Sequence, residues 1–167
     1  VVANPNFSND DGASGLAAIK DGSADVLFSG TWSAKDVKEA LGDNYAATSL
    51  PTFTVNGQKK QMKSFAATKA AAYNPNAKNP KAAAQFAAYL GSTEAQKLHY
   101  EMRAIPPTDK SLSDLTTDDI AAKAQADTMA NTALLQSGLS GMNDWWTPAE
   151  TFGKALVNKE ITKDNAA

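Results

Sequence analysis

Cysteine is absent from all 167 residues, which rules out a disulfide framework and any thiolate metal site. Histidine occurs once, as His99, flanked by Leu98 and Tyr100 on an expected helix. A single imidazole without a partner cluster is a poor metal ligand, so His99 is given a structural or surface role, and no metal or cofactor is expected. No apolar run approaches the ~20 residues that a membrane-spanning helix requires. Nor does charge of either sign dominate: Lys and Arg total 16 against 18 Asp and Glu, and they alternate without blocks. A net charge of −2 with no basic stripe argues against nucleic acid as a partner. The nucleophile elbow Gly-x-Ser-x-Gly is missing, so a Ser-His-Asp hydrolase has no support. Gly12, Gly15 and Gly22 lack the spacing of a phosphate loop, and no Lys-Ser/Thr follows them. The opening Val1-Val2-Ala3-Asn4-Pro5-Asn6 matches neither a signal peptide nor an anchor. Large apolar residues are also thin: hydrophobic content is 43%, but much of it is alanine. The length suffices for one domain, and the composition predicts a shallow core completed by chain not present here.

What remains alternates in secondary-structure type. Residues 4–12 read as a polar loop, 13–20 as a helix, and 24–29 as a short buried strand leading to the turn Gly30-Thr31-Trp32. Ser33 is placed to cap a helix with Asp36 in its first turn and Gly42 at its end. Residues 45–50 read as a strand broken at Pro51. Phe53 to Val55, Asn56-Gly57 and Gln58 to Met62 form the strongest hairpin signal. Ser64 to Tyr73 is expected to be extended despite its alanines. Asn79-Pro80 and Ser92 open two helices, and Ile105-Pro106-Pro107 stops the second. A long helix is expected from Thr117 to Gly138, then a loop, then a last helix to Val157. The order of elements predicts an α/β fold, and no repeat is visible.

The tryptophans sit where these elements meet. Trp145-Trp146 directly precede Thr147-Pro148-Ala149-Glu150, which reads as a capping box with Pro148 at the first helical position. Trp32 lies between an apolar run and a helix. Indoles at element ends either fill gaps between helices or line a ligand cleft. A flat ring with an N–H at its edge suits a sugar, whose faces are C–H and whose rim is hydroxyl. Asp144 is the acid beside the proposed cleft, placed to hydrogen-bond sugar hydroxyls or, in a hydrolase, to act as a cleft carboxylate. A glycosidase would need a second carboxyl facing it, and Asp36, Glu39 and Asp118 read instead as helix-face charges. No catalytic residue is assigned.

Taken in order, the motifs resemble a known family. Gly15 to Val26, running into Phe28-Ser29-Gly30-Thr31-Trp32, is similar to the extracellular solute-binding proteins of carbohydrate ABC importers, above all the maltose/maltodextrin-binding type. Leu50-Pro51-Thr52, the hairpin, Ser64-Phe65, the Asn79-Pro80 helix, Arg103-Ala104-Ile105-Pro106, and Met142 followed by Trp146 and Pro148 appear in that family's order. The resemblance implies a type II periplasmic-binding-protein-like fold, present as an incomplete two-lobe fragment with a helix-rich C-terminal portion. On this basis residues 1–62 belong to the C-lobe, 63–105 cross into the N-lobe as a strand and two helices, and 106–167 return as C-lobe helices. The resemblance also implies a sugar receptor for maltose or maltooligosaccharides that is not an enzyme. Its partners would be an oligosaccharide, a membrane permease and a missing N-terminal lobe. Its place would be extracellular, as a surface lipoprotein or a periplasmic protein.

Carried over by position, Trp32 and Trp146 match the family's stacking aromatics, and Trp145 reads as more a packing residue than a ligand contact. Met142, Asn143 and Asp144 share the loop before them. Gly30 is expected to let backbone approach the ligand. Thr147 stands where the family often has a further aromatic, which removes that contact. A hydrolase using cleft carboxylates and a receptor of the same family for another oligosaccharide are the alternatives.

Overall fold

The structure, a computed structural model, describes residues 2, 4–9 and 12–166. Its elements are α1 (Gly12–Lys20), α2 (Ala34–Leu41), β1 (Thr52–Val55), β2 (Gln58–Gln61), β3 (Phe65–Ala66), α3 (Pro80–Leu90), α4 (Thr93–Arg103), α5 (Ile120–Asp127), β4 (Leu134–Leu135) and α6 (Trp146–Val157). Helices dominate, and the strands form two separate two-stranded ribbons.

The hairpin forms as its sequence dictates. Strands β1 and β2 are antiparallel, with Thr52 opposite Gln61 and Val55 opposite Gln58. Asn56 and Gly57 both take positive φ, 50° and 74°, the backbone that a two-residue turn matching strand twist needs. Local signals also place the caps of α3 and α4. The Asn79 side chain accepts from the Ala82 N–H at 3.2 Å, and Pro80 follows where no donor is needed. Ser92 accepts from the Ala95 N–H at 3.2 Å. Beyond α4 the chain turns at Ala104, in the left-handed region at φ 52°, and the following segment is pinned by Gln96. The Gln96 Oε1 accepts from the backbone N–H groups of both Thr108 and Asp109.

The second ribbon is parallel: Phe65 lies opposite Leu134 and Ala66 opposite Leu135. Everything from α3 to α5 lies between these strands in sequence, as a parallel pair requires a crossover. This pairing corrects the expectation of one long helix over 117–138. Thr117 lies in the turn region before the helix, and Asp119 is the residue that caps α5, accepting from the Ala122 N–H at 3.0 Å. At the far end α5 widens into a π turn over Thr128–Thr132. The chain then extends so that Leu134 N–H can donate to the Ser64 carbonyl at 2.9 Å. Two threonines in the last turn weaken the helix, and a tertiary ladder bond wins.

Neither strand expected over 24–29 nor that over 45–50 forms. An extended segment becomes a strand only when a neighbour supplies its ladder, and no partner strand reaches either among the described residues. The 45–50 segment is tied instead by Gln61, whose Nε2 donates to the Leu50 carbonyl at 2.6 Å.

The capping box before the last helix is also replaced. A 3-10 turn over Ser140–Trp145 runs straight into α6, which starts at Trp146. Thr147 is therefore already helical, and Glu150 pairs with Lys154 at 2.6 Å rather than reaching back. Pro148 still falls in the first turn, where its missing N–H costs nothing. Ser33 likewise makes no cap bond at α2, because its Oγ meets the Ser29 Oγ at 2.9 Å.

The core is small, as the alanine-rich composition predicts. Ile19, at 3% exposure, is joined by Ala34, Ala66, Ala121 and Ala122 as buried apolar residues, and no large side chain is fully buried among the described residues. Many large apolar groups face outward, with Leu135 at 83% and Val26 at 72% exposure.

Candidate functional site

The three tryptophans occupy element ends, in two arrangements. Trp145 closes the 3-10 turn and Trp146 opens α6, so consecutive residues set their rings at 5.0 Å between centroids and 79° between planes. Phe65, carried by β3, meets both: 5.4 Å and 88° to Trp145, 5.8 Å and 70° to Trp146. All three contacts are edge-to-face, the geometry that the ring quadrupole favours. About half of each indole stays open to solvent, so the cluster is a surface and not a core. Met142, Asn143 and Asp144 lie on the same 3-10 turn, with the latter two exposed.

From the sequence Phe65 belongs only to the Ser64-Phe65 motif and carries no expected site role. The signal available was an aromatic in an extended segment directly after the hairpin. What the sequence could not show is that β4 brings that segment to the tryptophan pair.

Trp32 stands apart, with no ring contact to the cluster among the described residues. It lies in a 3-10 turn over Thr31–Ser33 and is 69% exposed. Its ring folds back over Gly30, so that Cε3, Cζ3 and Cη2 occupy the space a Cβ on residue 30 would need. Gly30 thus accommodates the indole itself, where the sequence suggested room for a ligand. Two side-chain bonds fix the turn: the Ser29–Ser33 hydroxyl pair, and Thr31 Oγ1 donating to Gln125 Oε1 of α5 at 2.8 Å.

A shallow cleft of about 410 Å³ lies elsewhere, between α2, α4 and the start of α5. Lys35, Lys38, Tyr45, Tyr100, Glu101 and Asp119 line it. Tyr100 donates its hydroxyl to Asp119 Oδ2 at 2.8 Å, while Asp119 caps α5 with its other oxygen. Burial, reinforced by the Asp119 bond and charge, pushes the Tyr100 phenol up to about 12. Burial and then the Asp119 charge push Tyr45 up as well. Lys35 crosses to the end of α4, donating to the Met102 carbonyl at 3.1 Å, one of the carbonyls a helix end leaves unpaired. These groups hold three helices together.

Among the described residues no group of three or more His, Asp or Glu is arranged to hold a metal ion. No helix of the described residues is long and apolar enough to cross a membrane.

The described residues thus present an exposed aromatic surface with polar groups on its rim, on a helix-rich frame. Residues 2–135 match the family described as bacterial extracellular solute-binding protein, and the chain belongs to that family. Its fold is a partial, helix-rich periplasmic-binding-protein fold, of a class that binds solute and is not enzymatic. A structure solved with acarbose is 40% identical and superposes on 99% of this chain with a TM-score of 0.89. The maltodextrin-binding protein MalE1 from L. casei BL23, solved without ligand, is 24% identical and superposes on 92% with a TM-score of 0.69. The present chain spans 45% and 42% of the lengths of those two chains. No curated protein matches it.

Proposed function

We propose that this chain is part of a two-lobed receptor for α-linked gluco-oligosaccharides of the maltooligosaccharide type, which delivers its ligand to the permease of an ABC importer. The observation that carries the reading is the Phe65–Trp145–Trp146 surface, open to solvent and bordered by Met142, Asn143 and Asp144. Edge-to-face contacts lock the indoles, so a sugar face stacking on them meets a platform already ordered. Asn143 and Asp144 supply partners for hydroxyls whose unpaired burial would cost ~1–3 kcal/mol each. The similar structure solved with acarbose, an oligosaccharide-like ligand, supports the choice of solute.

In this reading residues 1–62 and 106–167 serve the C-lobe and 63–105 serve the N-lobe. The exposed apolar side chains of β4 and of the 24–29 segment support a second body of chain packing there. Sugar would close the lobes, with hinge segments absorbing the rotation. The protein would work outside the cytoplasmic membrane, as a surface lipoprotein or in a periplasm.

The test is tryptophan fluorescence with maltotetraose. The full-length receptor, carrying both lobes, responds and loses that response on Trp146→Ala. The isolated 167-residue chain stays silent. Micromolar binding by the isolated chain would overturn the shared-cleft reading. A receptor for another oligosaccharide is the second reading, favoured by Thr147 where a further aromatic would extend the platform. A thermal-shift screen of the full-length receptor against sugars separates the two.

A further inference from the structure

We infer that Gln125 is a positioning residue for the tryptophan at the Gly30–Ser33 turn, acting through Thr31. This rests on the reading of Trp32 as a sugar-stacking ring. The turn is three residues long and exposed at its tip; its backbone is closed by the Ser33 N–H on the Gly30 carbonyl at 3.1 Å and the Ala34 N–H on the Thr31 carbonyl, where it runs into α2, so its tie to the rest of the fold has to come from side chains. A ring lying over a glycine has steric guidance from one side only. The Ser29–Ser33 hydroxyl bond closes the turn on itself but ties it to nothing else.

The bond from Thr31 Oγ1 to Gln125 Oε1, 2.8 Å long and half-buried, joins residues 94 apart in sequence and anchors the turn to α5. Thr31 is the residue immediately before the indole, so freeing its side chain frees the ring. Helix α5 is well suited as an anchor. It carries two of the buried alanines, Ala121 and Ala122, and its first turn is capped by Asp119. Through the π turn and β4 the same stretch of chain pairs with β3, which bears Phe65. One continuous run, 120–135, therefore touches the seat of Trp32 at Gln125, within α5, and the support of the Trp145–Trp146 pair at its far end. Gln125 sets where Trp32 stands relative to that pair.

The chemistry prescribes the test. Oε1 is the acceptor, so Gln125→Glu keeps the bond and Gln125→Met, of similar shape, removes it. In the full-length receptor, Gln125→Met weakens maltotetraose binding about fivefold, the size of one lost hydrogen bond, and Gln125→Glu restores it. Thr31→Val behaves as Gln125→Met, and the double variant adds nothing further. A second readout needs no sugar. With 5-fluorotryptophan incorporated, the fluorine resonance of Trp32, assigned by its loss in Trp32→Phe, shifts or broadens in Gln125→Met and keeps its position in Gln125→Glu. An unmoved resonance in Gln125→Met overturns the inference. A resonance that moves while Trp32→Ala leaves sugar affinity unchanged upholds the positioning role and removes Trp32 from the sugar site.

Discussion

Two tryptophan arrangements exist in this molecule, and they are held by opposite means. The Trp145–Trp146 pair is braced by aromatic edges, with Phe65 arriving from a distant strand as the third ring. Among the described residues Trp32 makes no ring contact, and it depends on a bare glycine beneath it and two hydroxyl bonds beside it. The first arrangement resists distortion because three large surfaces must move together. The second has fewer supports, since two side-chain hydrogen bonds and one rotamer define it. In the proposed receptor a sugar cleft would gain from both, one rigid platform and one ring that can settle onto ligands of different length.

The largest expected effect comes from removing the rigid platform. Trp146→Ala in the full-length receptor should weaken maltotetraose binding about 30-fold or more by titration calorimetry, the scale of an interface hot spot. A loss below about threefold would take the pair out of the site. Next is Gly30→Ala, which puts a methyl where the Trp32 ring lies; overpacking of ~1–3 kcal/mol predicts about a tenfold loss of affinity. If the variant binds normally, Trp32 reaches its ligand from another rotamer and the seat is irrelevant.

Phe65→Leu sharpens the contrast at smaller cost. Its two edge contacts, each worth ~0.5–1.5 kcal/mol, predict a severalfold loss and a reduced near-ultraviolet dichroism of the indoles. An unchanged spectrum would mean that Trp145 and Trp146 order each other unaided.

The smallest effect on binding, none, is expected at the distant cleft. Tyr100 is neutral in the fold up to about 12 against an ordinary value of 10.0. Native protein therefore holds a proton that unfolded chain releases. The stabilisation is whole below pH 10.0 and disappears as pH climbs toward about 12. Tyrosinate absorbance during alkaline titration should lose its latest component in Tyr100→Phe, with sugar affinity untouched. Loss of affinity would join this cleft to the tryptophan surfaces.

What the sequence made legible was local. Asn56-Gly57 specified a hairpin because the turn alone dictates its backbone, and Asn79 and Ser92 marked helix starts because a cap bond spans three residues. The tryptophans declare themselves by their position at element ends. Phe65 and Gln125 do not, since each acquires its role from a partner far along the chain. The same holds for the failed strands at 24–29 and 45–50: an apolar run states a preference for extension, and only a neighbouring strand can realise it. Leu134 and Leu135 fit the helical pattern over 117–138, yet they extend to pair with β3.

That late pairing has a consequence for synthesis. A ribosome adding ~5–20 residues per second would finish β3 roughly 4–14 s before β4, about 70 residues later, emerges to meet it. During that interval Phe65 has neither its ladder nor its indole neighbours, and the growing chain carries an unsatisfied apolar edge. Residues 64–66 therefore wait for a partner from far along the chain wherever folding is completed, at the ribosome or after export.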